Sequence, residues 1–201
     1  MKGAGEALIV EKKSKFIATV IPVENEEEAL SFLQEMRSKY SDATHNVYAY
    51  IIDENNIFRY SDDGEPGGTA GMPTLDTIRK EGIVDVAVVV TRYFGGILLG
   101  GGGLVRAYSH GAAIAVEGAE ILNMRLCKVF TVDADYTLYG KISRMLPKFN
   151  IQQQNIEFGS SVVLTLAALP DDYAAFGKEL TEISAGAIVP QLIEEKYLNK
   201  N

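Results

Sequence analysis

The chain has 201 residues, enough for one large or two small domains, and 47% hydrophobic with 23% charged residues sets it among ordinary globular proteins rather than disordered or fibrous ones. Its net charge is -8, and acids outnumber bases on both sides of residue 128, which excludes indiscriminate attraction to a phosphate backbone. The single cysteine, Cys127, excludes an internal disulfide and a thiolate-rich metal site, and with only two histidines, His45 and His110, a zinc site is not expected.

The first residues, MKGAGEALIVEKKSKF, lack a long apolar core and a small-residue cleavage site. No run of about 18 uncharged apolar residues occurs, so the expectation is a cytoplasmic protein without a membrane span. Residues 15–23, KFIATVIPV, alternate and are rich in β-branched side chains, which predicts a strand. Residues 24–40 place Ala29, Leu30, Leu33, Met36 and Tyr40 on one helical stripe, with acids in the first turn where the helix dipole favours them. NVYAYIID (46–53) and IFRYSDD (57–63) read as two strands of a hairpin joined by ENN. TLDTIRKEG predicts a short helix entered through Thr74 and closed by Gly82. VDVAVVVTRYF (84–94) is too continuously apolar for a surface strand and is expected at the centre of a sheet. The glycine run 95–103 then leads into a helix on which Leu104, Tyr108, Ala112, Ala115, Ala119 and Leu122 recur at helical spacing.

From Cys127 the pattern restarts as strand, helix, strand, strand, helix, strand, the βαββαβ order of a ferredoxin-like domain. The fold class expected is therefore α+β, with domains 1–128 and 129–201. Cys127 itself falls where the second domain begins and is expected to be buried and inert.

Three segments carry candidate chemistry. In YSDDGEPGGTAGMPTL (60–75), Asp62, Asp63 and Glu65 have the oxygens for a hard cation or for acid/base work, yet the same acids beside glycines and prolines are what tight turns want. Gly67, Gly68, Thr69, Ala70 and Gly71 offer a backbone cradle for an anion, with Thr69 as a hydroxyl contact, or simply close packing. The phosphate-loop lysine is missing. In TRYFGGILLGGGGLVRAY, Arg92 at a strand end and Arg106, expected in the first turn of the next helix, would attract a phosphate or carboxylate. The alternative is that Arg92 pairs internally with Asp62, Asp63 or Glu65 and locks the loops together. Tyr93 and Phe94 suit either base stacking or a core, and Gly95 and Gly96 open the glycine run. His45 is a candidate for proton transfer or merely starts a strand. His110, in mid-helix, is read as structural.

YSDDGEPGGTAGMP followed by VAVVVTRYFGGILLGGGGLVRAY resembles the two strongest sequence blocks of the YigZ/Impact family, and HNVYAY (45–50) resembles a weaker one. The resemblance covers most of residues 1–128, and the βαββαβ tail is similar to the additional C-terminal domain of bacterial members. It implies an N-terminal domain like the second domain of a small-subunit ribosomal protein, with helices on one face of its sheet. For the C-terminal domain it implies a likeness to a ferredoxin-like domain of elongation factor G. Val47 stands where the family usually has cysteine, Gly67 where serine is frequent, and Met72 where arginine is common. Eukaryotic members of the family regulate translation by competing for the activator of a stress kinase. The partners implied are the ribosome, RNA or a translation-regulatory protein, with neither membrane nor DNA expected and no cofactor or metal. The functional expectation is a non-catalytic, translation-associated binding module. Its site joins His45, Asp62, Asp63, Glu65, Gly67, Gly68, Thr69, Gly71, Arg92, Tyr93, Gly95, Gly96 and Arg106. The alternative is an enzyme acting on a phosphorylated or peptide-like small substrate, with Asp62 or Asp63 as metal ligand or base, His45 moving protons and Arg92 clamping an anion.

Overall fold

The computed structural model describes residues 1–199, which divide into two compact units, Met1–Ile121 and a second from Leu122 onward. Among the described residues no helix is long and apolar enough to cross a membrane.

The first unit contains β1 (Gly5–Glu11), β2 (Ser14–Pro22), α1 (Glu26–Lys39), β3 (His45–Ile52), β4 (Ile57–Ser61), α2 (Gly71–Lys80), β5 (Val86–Tyr93) and α3 (Gly101–Glu117). Its five strands form one antiparallel sheet in the order β1-β2-β5-β3-β4. β5 is central, as its unbroken apolar run requires, and every residue from Val86 to Arg92 is buried. Alternation along the strands separates two cores. Phe16, Ala18, Val20, Val47, Ala49, Val86, Val88 and Val90 face α2 and α3, whereas Tyr50, Ile52, Ala87 and Val89 face Phe32, Leu33 and Met36 of α1. Helices thus cover both faces of the sheet, not the one face implied by resemblance. On α1 the buried stripe takes Phe32, and Leu30 is half exposed instead.

Local differences from the sequence reading have physical causes. β1 was not anticipated, because Leu8 and Val10 on its outer side are 64% and 61% exposed and the apolar–polar alternation of a half-buried strand is absent. The ENN connection is a single 3-10 turn with Asn55 and Asn56 in the left-handed region, which closes the β3–β4 hairpin. α2 begins at Gly71, three residues before Thr74, because its first amides are capped from a distance: Asp62 Oδ1 accepts from Ala70 N (3.0 Å) and Gly71 N (2.8 Å). α3 begins at Gly101, so the glycine run supplies its first turn. Gly100, at φ 72°, reverses the chain, and Leu104 N donates to its carbonyl at 3.0 Å. Arg106 consequently lies in the second turn, not the first.

The second unit contains β6 (Met124–Ala134), α4 (Tyr136–Met145), β7 (Gln152–Phe158), β8 (Val162–Ala168), α5 (Pro170–Ile183) and β9 (Gln191–Asn199). The antiparallel sheet order β7-β8-β6-β9 is that of the split βαβ arrangement, and Phe130, Ile142, Leu164, Leu166, Phe176 and Leu180 fill the layer between sheet and helices. Cys127 is fully buried in β6.

Candidate functional site

Sheet register builds the site. Phe16 of β2, Arg92 of β5 and His45 of β3 are direct cross-strand partners, so their side chains stand in a row on the face that carries α2 and α3. Arg92 is 5% exposed. Its guanidinium lies 5.3 Å from the ring centre of Phe16 and 5.6 Å from that of Phe94. Nη1 donates to Glu65 Oε1 at 2.6 Å and Nη2 to Ser14 Oγ at 3.3 Å. Nε finds no acceptor among the described residues.

Glu65 is the acid the loop buries. Two successive turns, closed by Glu65 N to Asp62 O (2.9 Å) and Thr69 N to Pro66 O (3.1 Å), carry it inward. Besides Arg92, its Oε1 accepts from the Tyr108 hydroxyl of α3 at 2.8 Å. Burial, then the bond to Glu65, pushes the Tyr108 hydroxyl pKa well above its ordinary value. His45 Nδ1 lies 2.7 Å from Asp63 O. A carbonyl only accepts, so Nδ1 carries the proton and Nε2 is left facing Glu65 Oε2 at 3.8 Å.

The other loop acids build the fold. Asp62 accepts from Gly68 N (2.9 Å) in addition to Ala70 and Gly71, so the cradle over residues 67–71 is filled by the chain's own carboxylate. Asp63 accepts from Asn46 N at 2.6 Å and lies 3.6 Å from Arg37. Gly67 and Gly68 are exposed, and the Thr69 hydroxyl donates to Pro66 O at 2.6 Å. Among the described residues no group of three or more His, Cys, Asp or Glu is placed to hold a metal ion.

A cavity of about 380 Å³ opens at this end of the sheet, lined by Arg92, His45, Glu65, Thr44, Pro66, Phe94, the 98–101 segment and Leu104. Gly100 and Gly101 bring the start of α3 to its wall, and no side chain among the described residues caps that helix. First-turn amides and the helix dipole therefore face a space that also touches a buried arginine, a place suited to one anionic group.

Arg106 does not join it. It is exposed and lines a separate cavity of about 620 Å³ with Lys80, Glu81 and the exposed His110. Tyr93 points elsewhere, its hydroxyl donating to Asp42 at 2.8 Å, which raises its pKa. Gly95 lies against the backbone of Lys13 and Ser14, and its amide donates to Ser14 Oγ at 3.1 Å. Gly96 adopts a left-handed turn. Sequence reasoning missed Ser14, Phe16, Thr44, Leu98, Leu99 and Tyr108. For Phe16 the signal was available, since pairing β2 and β3 on either side of β5 places it opposite Arg92. Tyr108 lay on the predicted helical stripe but was read as core alone.

The Tyr108–Glu65 bond has a pH signature. A folded pKa above the unfolded value of about 10 means its stabilisation is complete below pH 10 and lost as pH rises further. Unfolding free energy should therefore fall more steeply above pH 10 in the wild type than in Tyr108→Phe. Equal slopes in denaturant titrations would remove this contribution.

The model for the Impact N-terminal domain matches residues 12–116, and that for a Domain of unknown function (DUF1949) matches residues 132–187. The chain is 38% identical to IMPACT family member YvyE of Bacillus subtilis (strain 168) over 201 residues, covering 100% of this chain and 93% of that protein. It is 33% identical to IMPACT family member YigZ of Escherichia coli (strain K12) over 187 residues, 92% of each. A crystal structure of "an hypothetical protein", 31% identical, superposes with a TM-score of 0.60 over 97% of this chain and 96% of that one. The first domain model spans the strands and helices that build the Arg92 cavity, and both relatives match almost from end to end: the chain belongs to the IMPACT family.

Proposed function

We propose that the protein is a translation-associated regulatory binding protein, whose cavity beside Arg92 takes a single anionic group from RNA or from an acidic partner. Family membership supports the translational setting, through what the family resemblance implies. One observation carries the site: the uncapped start of α3 opens into a cavity lined by a buried arginine whose Nε is unpartnered. The enzymatic alternative is less well supported, since four backbone amides already engage the carboxylates of Asp62 and Asp63.

Cosedimentation with ribosomes across a salt series tests this reading. Wild-type protein should associate at low salt and dissociate as salt rises. Leu98→Glu, at a position 82% exposed on the cavity wall, should weaken association about tenfold, the effect of roughly 1.4 kcal/mol, without loss of fold. Absence of wild-type association at low salt would overturn the translational reading, and equal association by the variant would move the site elsewhere.

A further inference from the structure

The walls of the Arg92 cavity narrow what its occupant can be, given the anion site proposed above. Pro66, Phe94, Leu98, Leu99 and Leu104 make most of the lining apolar. Phe94, the neighbouring Ile97 and Leu98 are 47%, 42% and 82% exposed, three large hydrophobic side chains within five residues. A lone exposed leucine is ordinary, but such a cluster at the mouth of a cavity marks a contact surface. Leu98 stands too far out to be covered by anything the cavity alone can enclose, which argues for a chain laid across the mouth rather than a small molecule held within it.

Charge narrows the choice further. Arg92 is the only lysine or arginine in the lining, and Glu65 already matches it. What remains for an incoming anion is the start of α3 and the N–H groups that Arg92 has left. That suffices for one anionic group. A polynucleotide is held by several cations along its backbone, and here the lining has one, in a chain whose net charge is -8.

We infer that the occupant is an acidic segment of a partner protein, presenting one carboxylate to the first turn of α3 with apolar side chains on either side, and not a run of RNA phosphates. The carboxylate accepts from the first amides of α3, beginning at Gly101, while its flanking side chains cover Phe94 and Leu98.

Backbone amide resonances of Gly100–Gly103 report on the site. Three probes are titrated into the full chain: acetyl-Leu-Glu-Leu-amide, its glutamine counterpart acetyl-Leu-Gln-Leu-amide, and decauridylate. The glutamate peptide should shift these resonances and half-saturate at a concentration at least tenfold below that of either other probe, and Leu98→Ser should weaken it several-fold. If decauridylate perturbs the same amides at equal or lower concentration, the inference falls while the anion site stands. Equal effects of the glutamate and glutamine peptides also overturn it, because the carboxylate then contributes nothing. If no probe moves Gly100–Gly103, the inference and the anion site fail together.

Discussion

Arg92→Ala should lower the unfolding free energy by about 3–5 kcal/mol, the range for removing one partner of a buried ion pair. The side chains of Arg92 and Glu65 are 6% and 3% exposed, so little water is available to replace the lost guanidinium. Glu65 would keep one hydrogen bond, from Tyr108, and face His45 at 3.8 Å. Phe16 and Phe94 would lose the cation packed against them, which adds a packing loss to the electrostatic one. The triple substitution Arg92→Met/Glu65→Met/Tyr108→Phe separates the causes, since replacing both charges by apolar groups of similar volume removes the unpaired carboxylate, and removing the Tyr108 hydroxyl avoids leaving it without its acceptor. It should recover most of the loss. Midpoints of urea unfolding for wild type, single and triple variants test this. A single variant within about 1 kcal/mol of wild type would show that the pair is dispensable to the fold. The expected cost also means that any binding defect of Arg92→Ala is confounded with unfolding, which is why Leu98 carries the functional tests.

Burial periodicity made much of this fold legible. VAVVV could only sit in a covered strand, and the α3 stripe of Leu104, Tyr108, Ala112 and Ala115 meets the sheet as its spacing demands. The alternation of strands and helices from Cys127 specifies the second sheet well, because each apolar face there has one partner layer. Misreadings gathered where a nonlocal contact replaces a local signal. The α2 start depends on Asp62, eight residues before Ala70, and nothing between Gly71 and Thr74 announces it. A run of glycines reads as loop, yet the amides of Gly101–Gly103 are helical because Gly100 turns the chain and Leu104 closes onto it.

At the site, sequence supplied the candidates but not the division of labour among them. Three acids within four positions were chemically equivalent on paper. The turns around Gly64 bury Glu65 and leave Asp62 and Asp63 beside amides, so one acid joins the arginine and two hold the loop. Arg106 was grouped with Arg92 by its expected place in the first helical turn. One additional turn of helix, made from glycines, carries it to a different cavity. The apolar lining was unreadable for the opposite reason: Leu98 looks like any core leucine until the loop directs it to the mouth, while Leu99 and Leu104 are buried in the core and form the cavity's inner wall.

Gly95→Ala should destabilise the first unit by about 3 kcal/mol or more, at or above the upper end of overpacking costs. A methyl at this position meets the backbone carbonyl of Lys13 and the amide of Ser14, where no flexible side chain can swing away. Relief requires moving either the β1–β2 turn or the end of β5, and both are tied down. Lys15 pairs with Tyr93 across the sheet, and Gly95 N is bonded to Ser14 Oγ. That hydroxyl is also the acceptor for Arg92 Nη2, so displacing the turn loosens the guanidinium as well. The control is Gly67→Ala, which has no atom within 4 Å and no left-handed backbone, and should lie within about 0.5 kcal/mol of wild type. Urea midpoints of the two variants decide the matter. If Gly95→Ala matches Gly67→Ala, the backbone approach is not the constraint that holds the glycine run against β2. If it is destabilised as expected and the Gly100–Gly103 amide resonances also shift, the close contact at Gly95 is shown to seat the 96–100 loop, and with it the uncapped start of α3.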